Sequence, residues 1–153
     1  MTFKLSQRSL SKLEGVDERL VAVVKYAIGE STVDFGVIEG VRSINRQREL
    51  VAKGASQTMK SRHIDGEAVD LMAYVGSPAR ASWELNLYDD IADAMKKAAI
   101  ACDVGIKWGG AWTVPDIRAW EGTMEDAMND YIDTRRSQGR RPFLDCVHFE
   151  LAI

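Results

Sequence analysis

Residues 61–70, SRHIDGEAVD, and residues 145–150, DCVHFE, contain both histidines of the chain, His63 and His148. Imidazole nitrogens and carboxylate oxygens are common ligands of divalent transition metals, and a catalytic zinc ion takes three such ligands and keeps one position for water. His63, Asp70 and His148 would supply that set. The spacing therefore predicts one metal site built from two distant parts of the chain.

The surroundings of Asp70 indicate how the first segment folds. Residues 68–74, AVDLMAY, are mostly apolar, which predicts a central strand of a sheet with Asp70 as its single charge. A carboxylate in such a strand needs a partner. Residues 55–66 lack an apolar period and are rich in polar side chains, which predicts a surface loop that carries His63.

The second segment predicts a closing strand. His148 and Glu150 are two residues apart, so they share one face of a strand. Asp145 lies three residues before His148 and reaches that side only from the preceding turn. An aspartate in this place is suited to act as a base beside a metal-bound water.

Helices and strands alternate along the rest of the chain. Periodicity and capping residues predict helices at residues 6–14, 20–28, 44–53, 84–102 and 123–138, and strands at 33–38, 68–74, 106–108 and 147–153. This order favours an α+β fold in one domain, residues 1–153, with helices packed on a small, mostly antiparallel sheet.

Composition excludes several classes of protein. The 20 basic and 23 acidic residues give a net charge of −3, so no broad basic field suggests binding to nucleic acid or to a membrane surface. Cys102 and Cys146 are too few for a disulfide framework and are predicted to be reduced. The N-terminus lacks the apolar core of a secretory signal, which predicts a soluble protein made in the cytoplasm.

Five short motifs between Gly40 and Leu151 form a recognisable set. They are Gly40-Val41-Arg42-Ser43 with Gln47, Ser61-x-His63-x6-Asp70, Gly66-x-Ala68-x-Asp70, Trp108-Gly109-Gly110, and Asp145-x-x-His148-Phe149-Glu150-Leu151. With them the chain resembles the zinc-dependent peptidoglycan peptidases of the D-Ala-D-Ala carboxypeptidase and L-alanyl-D-glutamate endopeptidase family, which includes many phage endolysins. The resemblance implies the α+β fold typical of hedgehog and D,D-peptidase domains.

The resemblance also implies a role for each matching residue. It makes His63, Asp70 and His148 the ligands of one Zn²⁺ ion per chain and Asp145 the general base. It makes Arg42 a candidate for polarising the scissile carbonyl or for binding a substrate carboxylate.

The remaining matching residues have a structural alternative beside the functional one. Gln47 falls in the segment that binds substrate in the family, and Ser61 and Trp108 are further candidates for substrate contact, but each of the three could serve the fold instead. Arg42 could be a structural residue paired with Glu39 or Glu150. Glu150 is expected to support a metal ligand and not to bind the metal itself, because a fourth protein ligand would close the site to water.

Residues 114–141 are longer than the connection expected in this family and are predicted to be an insertion with a helix of its own. Our hypothesis is that this helix and the basic loop around Arg140 and Arg141 cover one rim of the cleft and meet an anionic peptide. The alternative is a solvated loop.

The leading functional prediction is a phage endolysin that cuts the L-alanyl-D-glutamate bond of the peptidoglycan stem peptide. It would be a monomer that stays in the host cytoplasm, without stable membrane association, until a holin lets it reach the wall from the periplasm. Three alternatives remain open: a D,D-carboxypeptidase or dipeptidase acting on D-Ala-D-Ala, a non-haem iron oxygenase with a facial triad, and a muropeptide-binding module without catalysis. The last would have no need of Asp145 as a base.

Overall fold

The structure is a computed structural model that describes residues 2–56 and 61–153. Its helices are α1 (Gln7–Lys12), α2 (Glu18–Glu30), α3 (Ile44–Ala52), α4 (Leu85–Cys102) and α5 (Met124–Ser137), with a 3-10 turn at Ile117–Ala119. Its strands are β1 (Asp34–Glu39), β2 (Ala68–Val75), β3 (Arg80–Ser82), β4 (Ile106–Trp108) and β5 (His148–Leu151). The strand pairs are antiparallel, and the predicted α+β fold is confirmed.

Side-chain caps fix the helix starts. The predicted caps Ser6, Asp17 and Thr123 each accept a hydrogen bond from a backbone N–H in the first helical turn. The predicted end of α2 at Ile28 is wrong by two residues, since the helix continues through Gly29 to Glu30. Ser31 still donates to the carbonyl of Ala27, so the helical bonding extends past the glycine.

The sheet has the order β1-β2-β5-β4, with β2 at its centre. The far end of β2 also pairs with β3, which the sequence did not predict because its three residues are largely exposed and carry no apolar alternation. Within the described residues, no helix has the length and apolar character needed to span a membrane.

The hydrophobic core holds β2 in place. Val69 and Leu71 are fully buried in a core that also contains Leu20 of α2 and Met95 of α4. Because side chains alternate along a strand, Asp70 points to the opposite face. Packing on one face of β2 thereby fixes the position of the carboxylate on the other.

Candidate metal centre

Three strands bring Glu39, Asp70 and His148 into one row. Glu39 of β1 is the register partner of Asp70, and Asp70 is the register partner of His148 on β5. A bulge between Val37 and Glu39 adjusts β1 so that Glu39 joins the row. Side chains of directly paired residues lie on the same face of an antiparallel sheet, so the pairing itself assembles half of the site.

Three ligand atoms form a nearly equilateral triangle on this face. Nε2 of His63 lies 3.0 Å from Oδ1 of Asp70 and 3.2 Å from Nδ1 of His148, and the latter two atoms are 3.3 Å apart. Ligand atoms on a tetrahedral zinc ion are about 3.4 Å apart. All three residues are buried, and the group is positioned to bind a metal ion.

The outward ring nitrogens of both histidines are held by acceptors. Nδ1 of His63 is 2.9 Å from the carbonyl oxygen of Gly40, and Nε2 of His148 is 2.8 Å from Oε1 of Glu150. Because these oxygens only accept, the outward nitrogens carry a hydrogen, and each inward nitrogen can offer a lone pair to a metal ion once the ring is neutral. Such oriented rings are typical of metal sites and fit the predicted ligand set.

His63 does lie in a loop, as predicted, but it is buried and not at the surface. The residue is 1% exposed, and its carbonyl accepts a hydrogen bond of 2.8 Å from the backbone N–H of Arg42. The turn closes at Gly66, which has φ +72°, and its N–H donates to the carbonyl of His63. Residues 57–60 of the predicted loop lie outside the described residues.

Arg42 lies beside the triangle with its guanidinium heavily engaged. Nε and Nη2 each donate 2.7 Å hydrogen bonds to the two oxygens of Glu39, which is the predicted structural pairing. Nη1 donates to Gln47 at 2.7 Å and to Ser61 at 3.3 Å. Nη2 also lies 3.6 Å from Oδ2 of Asp70. This arrangement suits a residue that positions the metal ligands more than one that meets substrate.

Gln47 and Ser61 belong to the same network. Gln47 is fully buried, accepts from Arg42, donates to Ser56 at 2.8 Å, and does not line the cleft. Ser61 does line the cleft, and its hydroxyl oxygen accepts the backbone N–H of His63 at 3.2 Å. Position therefore supports a substrate contact for Ser61 but not for Gln47.

Trp108 is fully buried and is absent from the described residues that line the cleft. Its indole N–H donates to the carbonyl of Cys146 at 2.8 Å, which anchors the segment leading into His148. The next residue, Gly109, exchanges backbone hydrogen bonds with Asp145 and His148. A Cβ at Gly109 would overlap the carbonyl of Asp145, so this motif brings Asp145 close to the site.

Asp145 is partly buried and lines the cleft together with the three ligands. Burial raises the pKa of its carboxyl group, and the charge of Asp70 raises it further against the opposing effect of the nearby histidines and Arg42. A carboxylate with a raised pKa is a stronger base than an ordinary aspartate.

Asp70 and His148, two of the three candidate ligands, shift each other's pKa. Burial raises the pKa of Asp70, but contacts with His148 and His63 lower it more, so the pKa lies well below its usual range. Burial lowers the pKa of His148, whereas Asp70 and Glu150 raise it to about 9. In the metal-free state the site therefore favours an ionised Asp70 and a protonated His148.

The triangle opens into a cleft of about 840 Å³. Trp112, which the sequence did not single out, forms one wall: its ring lies 5.5 Å from that of His148 and stacks on Phe143 at 6.5 Å. Its position two residues after the Gly109-Gly110 pair was the available signal in the sequence. Helix α5 and the loop that follows it also line the cleft, with residues Tyr131, Thr134, Arg135, Gln138 and Arg140.

Comparisons with known proteins place this geometry in context. A model of the family described as phage L-alanyl-D-glutamate peptidase matches residues 1–152. The chain is 27% identical over 116 residues to the L-alanyl-D-glutamate peptidase of Escherichia phage T5, covering 73% of this chain and 83% of that protein. It is 28% identical over 116 residues to the L-alanyl-D-glutamate peptidase of Listeria phage A118, covering 74% of this chain and 40% of that longer protein.

A solved structure agrees over nearly the whole chain. The crystal structure of Serratia marcescens L-Ala D-Glu endopeptidase ChiX is similar with a TM-score of 0.69 and 34% identity, covering 98% of this chain and 90% of that one. The resemblance inferred from the five motifs is thereby confirmed. The chain belongs to the phage L-alanyl-D-glutamate peptidase family.

Proposed function

We propose that the protein is a zinc-dependent endolysin that hydrolyses the L-alanyl-D-glutamate bond of the peptidoglycan stem peptide. The observation that carries the proposal is the triangle of inward-facing ligand atoms from His63, Asp70 and His148, with Asp145 in the same cleft. Family membership supports the peptidase activity and the bond. Two imidazole nitrogens among the three candidate ligand atoms support a transition metal over a hard cation.

The chemistry divides between the ion and the chain. His63, Asp70 and His148 would hold a zinc ion, which when bound would lower the pKa of a water ligand to near 7 and polarise a carbonyl group. The carboxylate of Asp145 accepts the proton of the attacking water and returns it to the leaving amine. Its raised pKa helps both steps, because a more basic carboxylate takes the proton more readily and still releases it to an amine.

The surrounding residues keep the ligands in place. Glu150 and the carbonyl of Gly40 hold the two imidazole rings, and Arg42 links Glu39, Ser61 and Asp70. We propose that Arg42 acts chiefly by orienting this network, and that the cleft wall of Trp112 and α5 receives the peptide.

The biological setting follows from the same proposal. A monomer would accumulate in the bacterial cytoplasm during phage growth and would reach the wall when a holin opens the membrane. Size-exclusion chromatography with light scattering tests the monomer, and lysis in cells with and without a holin tests the route.

The decisive experiment compares wild type with Asp145→Asn on purified muropeptides by mass spectrometry. Wild type should yield peptides that begin with D-glutamate, whereas released D-alanine would indicate a D,D-carboxypeptidase. Asp145→Asn should retain zinc and lose kcat by about 10²- to 10⁴-fold, the usual contribution of a general base. Exposed Asp65→Asn, outside the cleft, is the matched control.

Two results would contradict the mechanism. If Asp145→Asn turns over substrate as fast as wild type, Asp145 is not the general base, and another group accepts the proton. Activity that returns to a chelated sample with iron and oxygen, but not with zinc, would favour the oxygenase alternative.

A further inference from the structure

The cleft is lined, among the described residues, by the arginines Arg42, Arg62, Arg135 and Arg140, and these differ in what neutralises them. Arg42 forms its fork with Glu39. Arg62 lies 3.2 Å from Glu67 and 3.6 Å from Glu150 and also donates to the carbonyl of Ile153 at 2.9 Å. The charges of both residues are therefore already matched by acids of the protein.

The α5 side of the cleft is different. Arg135 donates through Nε and Nη2 to the carbonyl oxygen of Arg141, at 3.3 and 3.1 Å, which ties the loop after α5 to the helix. The backbone N–H of Arg140 donates to the carbonyl of Arg135 at 2.9 Å. The side chain of Arg140 has no ion pair with any residue that the structure describes, so a fixed backbone presents an unmatched cation to the cleft.

We propose that Arg140 recognises the free α-carboxylate of the D-glutamate residue beside the scissile bond. This inference rests on the proposed function. In the stem peptide, D-glutamate continues the chain through its side-chain carboxyl group, so its α-carboxylate remains free and charged. The acids that line the cleft, Glu39, Asp70, Asp145 and Glu150, would not bind that group. A guanidinium binds a carboxylate through two parallel hydrogen bonds.

The test uses two synthetic stem peptides that differ in one group. One carries D-glutamate after L-alanine, and the other carries D-isoglutamine, whose α-carboxamide has the same shape without the charge. Wild type should cut the carboxylate peptide with a kcat/KM about 10-fold or more above that of the amide peptide. Arg140→Ala should lose that factor on the carboxylate peptide alone, so the preference disappears.

Arg141→Ala is the matched control. It removes the same charge from the adjacent position, but Arg141 is exposed, does not line the cleft and contacts Arg135 through its backbone carbonyl. Its preference should equal that of wild type. Arg140→Lys, which keeps the charge and loses the fork, should retain an intermediate preference.

The inference is overturned if Arg140→Ala keeps the preference of wild type, or if it slows both peptides equally. Failure of the proposed function gives a different result, because wild type would then release no product that begins with D-glutamate or D-isoglutamine from either peptide.

Discussion

Asp70 and Asp89 are both buried carboxylates, 9% and 6% exposed, with opposite surroundings. Asp70 on β2 meets two imidazole nitrogens through Oδ1 and Arg42 through Oδ2. Asp89 on α4 has one oxygen, Oδ1, without a hydrogen-bond partner in the described chain, and its charged neighbours are acids. The pKa of Asp70 is lowered, whereas burial, followed by Glu125, Asp90 and Asp93, raises that of Asp89 to about 6.

Burial alone does not keep a carboxylate ionised. Desolvation raises the pKa of both groups, and nearby cationic or hydrogen-bonding partners decide whether the charged form survives. Only Asp70 is prepared to remain an anion, which is what a metal ligand requires. Ionisation of Asp89 instead costs folding stability, because burial and nearby acids disfavour its charged form.

Replacing Asp70 by Asn should have the largest effect on metal binding and activity. The amide keeps the shape but removes the charge that faces both histidines, so metal affinity and kcat/KM should fall well beyond about 100-fold, more than loss of a group behind a ligand costs. Metal content after dialysis and turnover of muropeptides are the measurements. Asp89→Asn is the control and should retain both; a fully loaded, active Asp70→Asn protein would refute the ligand assignment.

Glu150→Gln tests the support behind His148 and should have a smaller effect. Removing the charge that holds Nε2 should weaken metal binding by about 10- to 100-fold. Glu67→Gln is a matched control, because Glu67 also pairs with Arg62 but stands outside the cleft lining. If both variants bind metal equally well, the bond between Glu150 and His148 does not tune the ligand.

The same pair predicts a pH dependence of the metal-free protein. His148 has a folded pKa of about 9, above its ordinary value of 6.5. Its protonation therefore stabilises the fold fully below pH 6.5, and this contribution is lost as the pH rises towards 9. Glu150→Gln should lower the midpoint pH at which the His148 resonance titrates in an NMR experiment. An unchanged midpoint would show that Glu150 does not raise the pKa of His148.

Local patterns were enough to predict much of this molecule. The caps Ser6, Asp17 and Thr123 and the apolar run of β2 are local signals, so those elements were predicted correctly or nearly so. The three residues assigned as ligands do lie together. The pairing of β2 with β5 places two of them, Asp70 and His148, side by side. The burial of His63 was not predicted, since it depends on packing against Gly40 and Arg42, which a polar segment does not reveal.

The rest of the site depends on contacts between distant segments. Gln47 looked like a helix-surface residue or a substrate contact, yet it is buried beneath Arg42. Trp112 follows β4, and its ring lies beside that of His148 on β5, a contact between residues that are distant in the sequence. The raised pKa of Asp89 was not predicted from the sequence. It depends on burial and, beside the local Asp90 and Asp93, on Glu125 of α5, which lies 36 residues later.

Asp89→Asn should have the smallest effect, a pH-dependent gain in stability. Its folded pKa of about 6 exceeds the unfolded value of 3.8, so the folded state binds more protons between these values and loses stability as the pH rises through that window. The amide removes this cost. The variant should therefore be more stable than wild type by about 1–3 kcal/mol at pH 8, the upper value being the full shift without solvent screening, and by only about 0.4 kcal/mol at pH 3.8. Urea unfolding at both pH values measures the difference, with Asp130→Asn as the control, because Asp130 is exposed and is not among the acids that raise the pKa of Asp89. An equal gain at both pH values would show that the amide acts by packing, and that the ionisation of Asp89 costs the fold nothing.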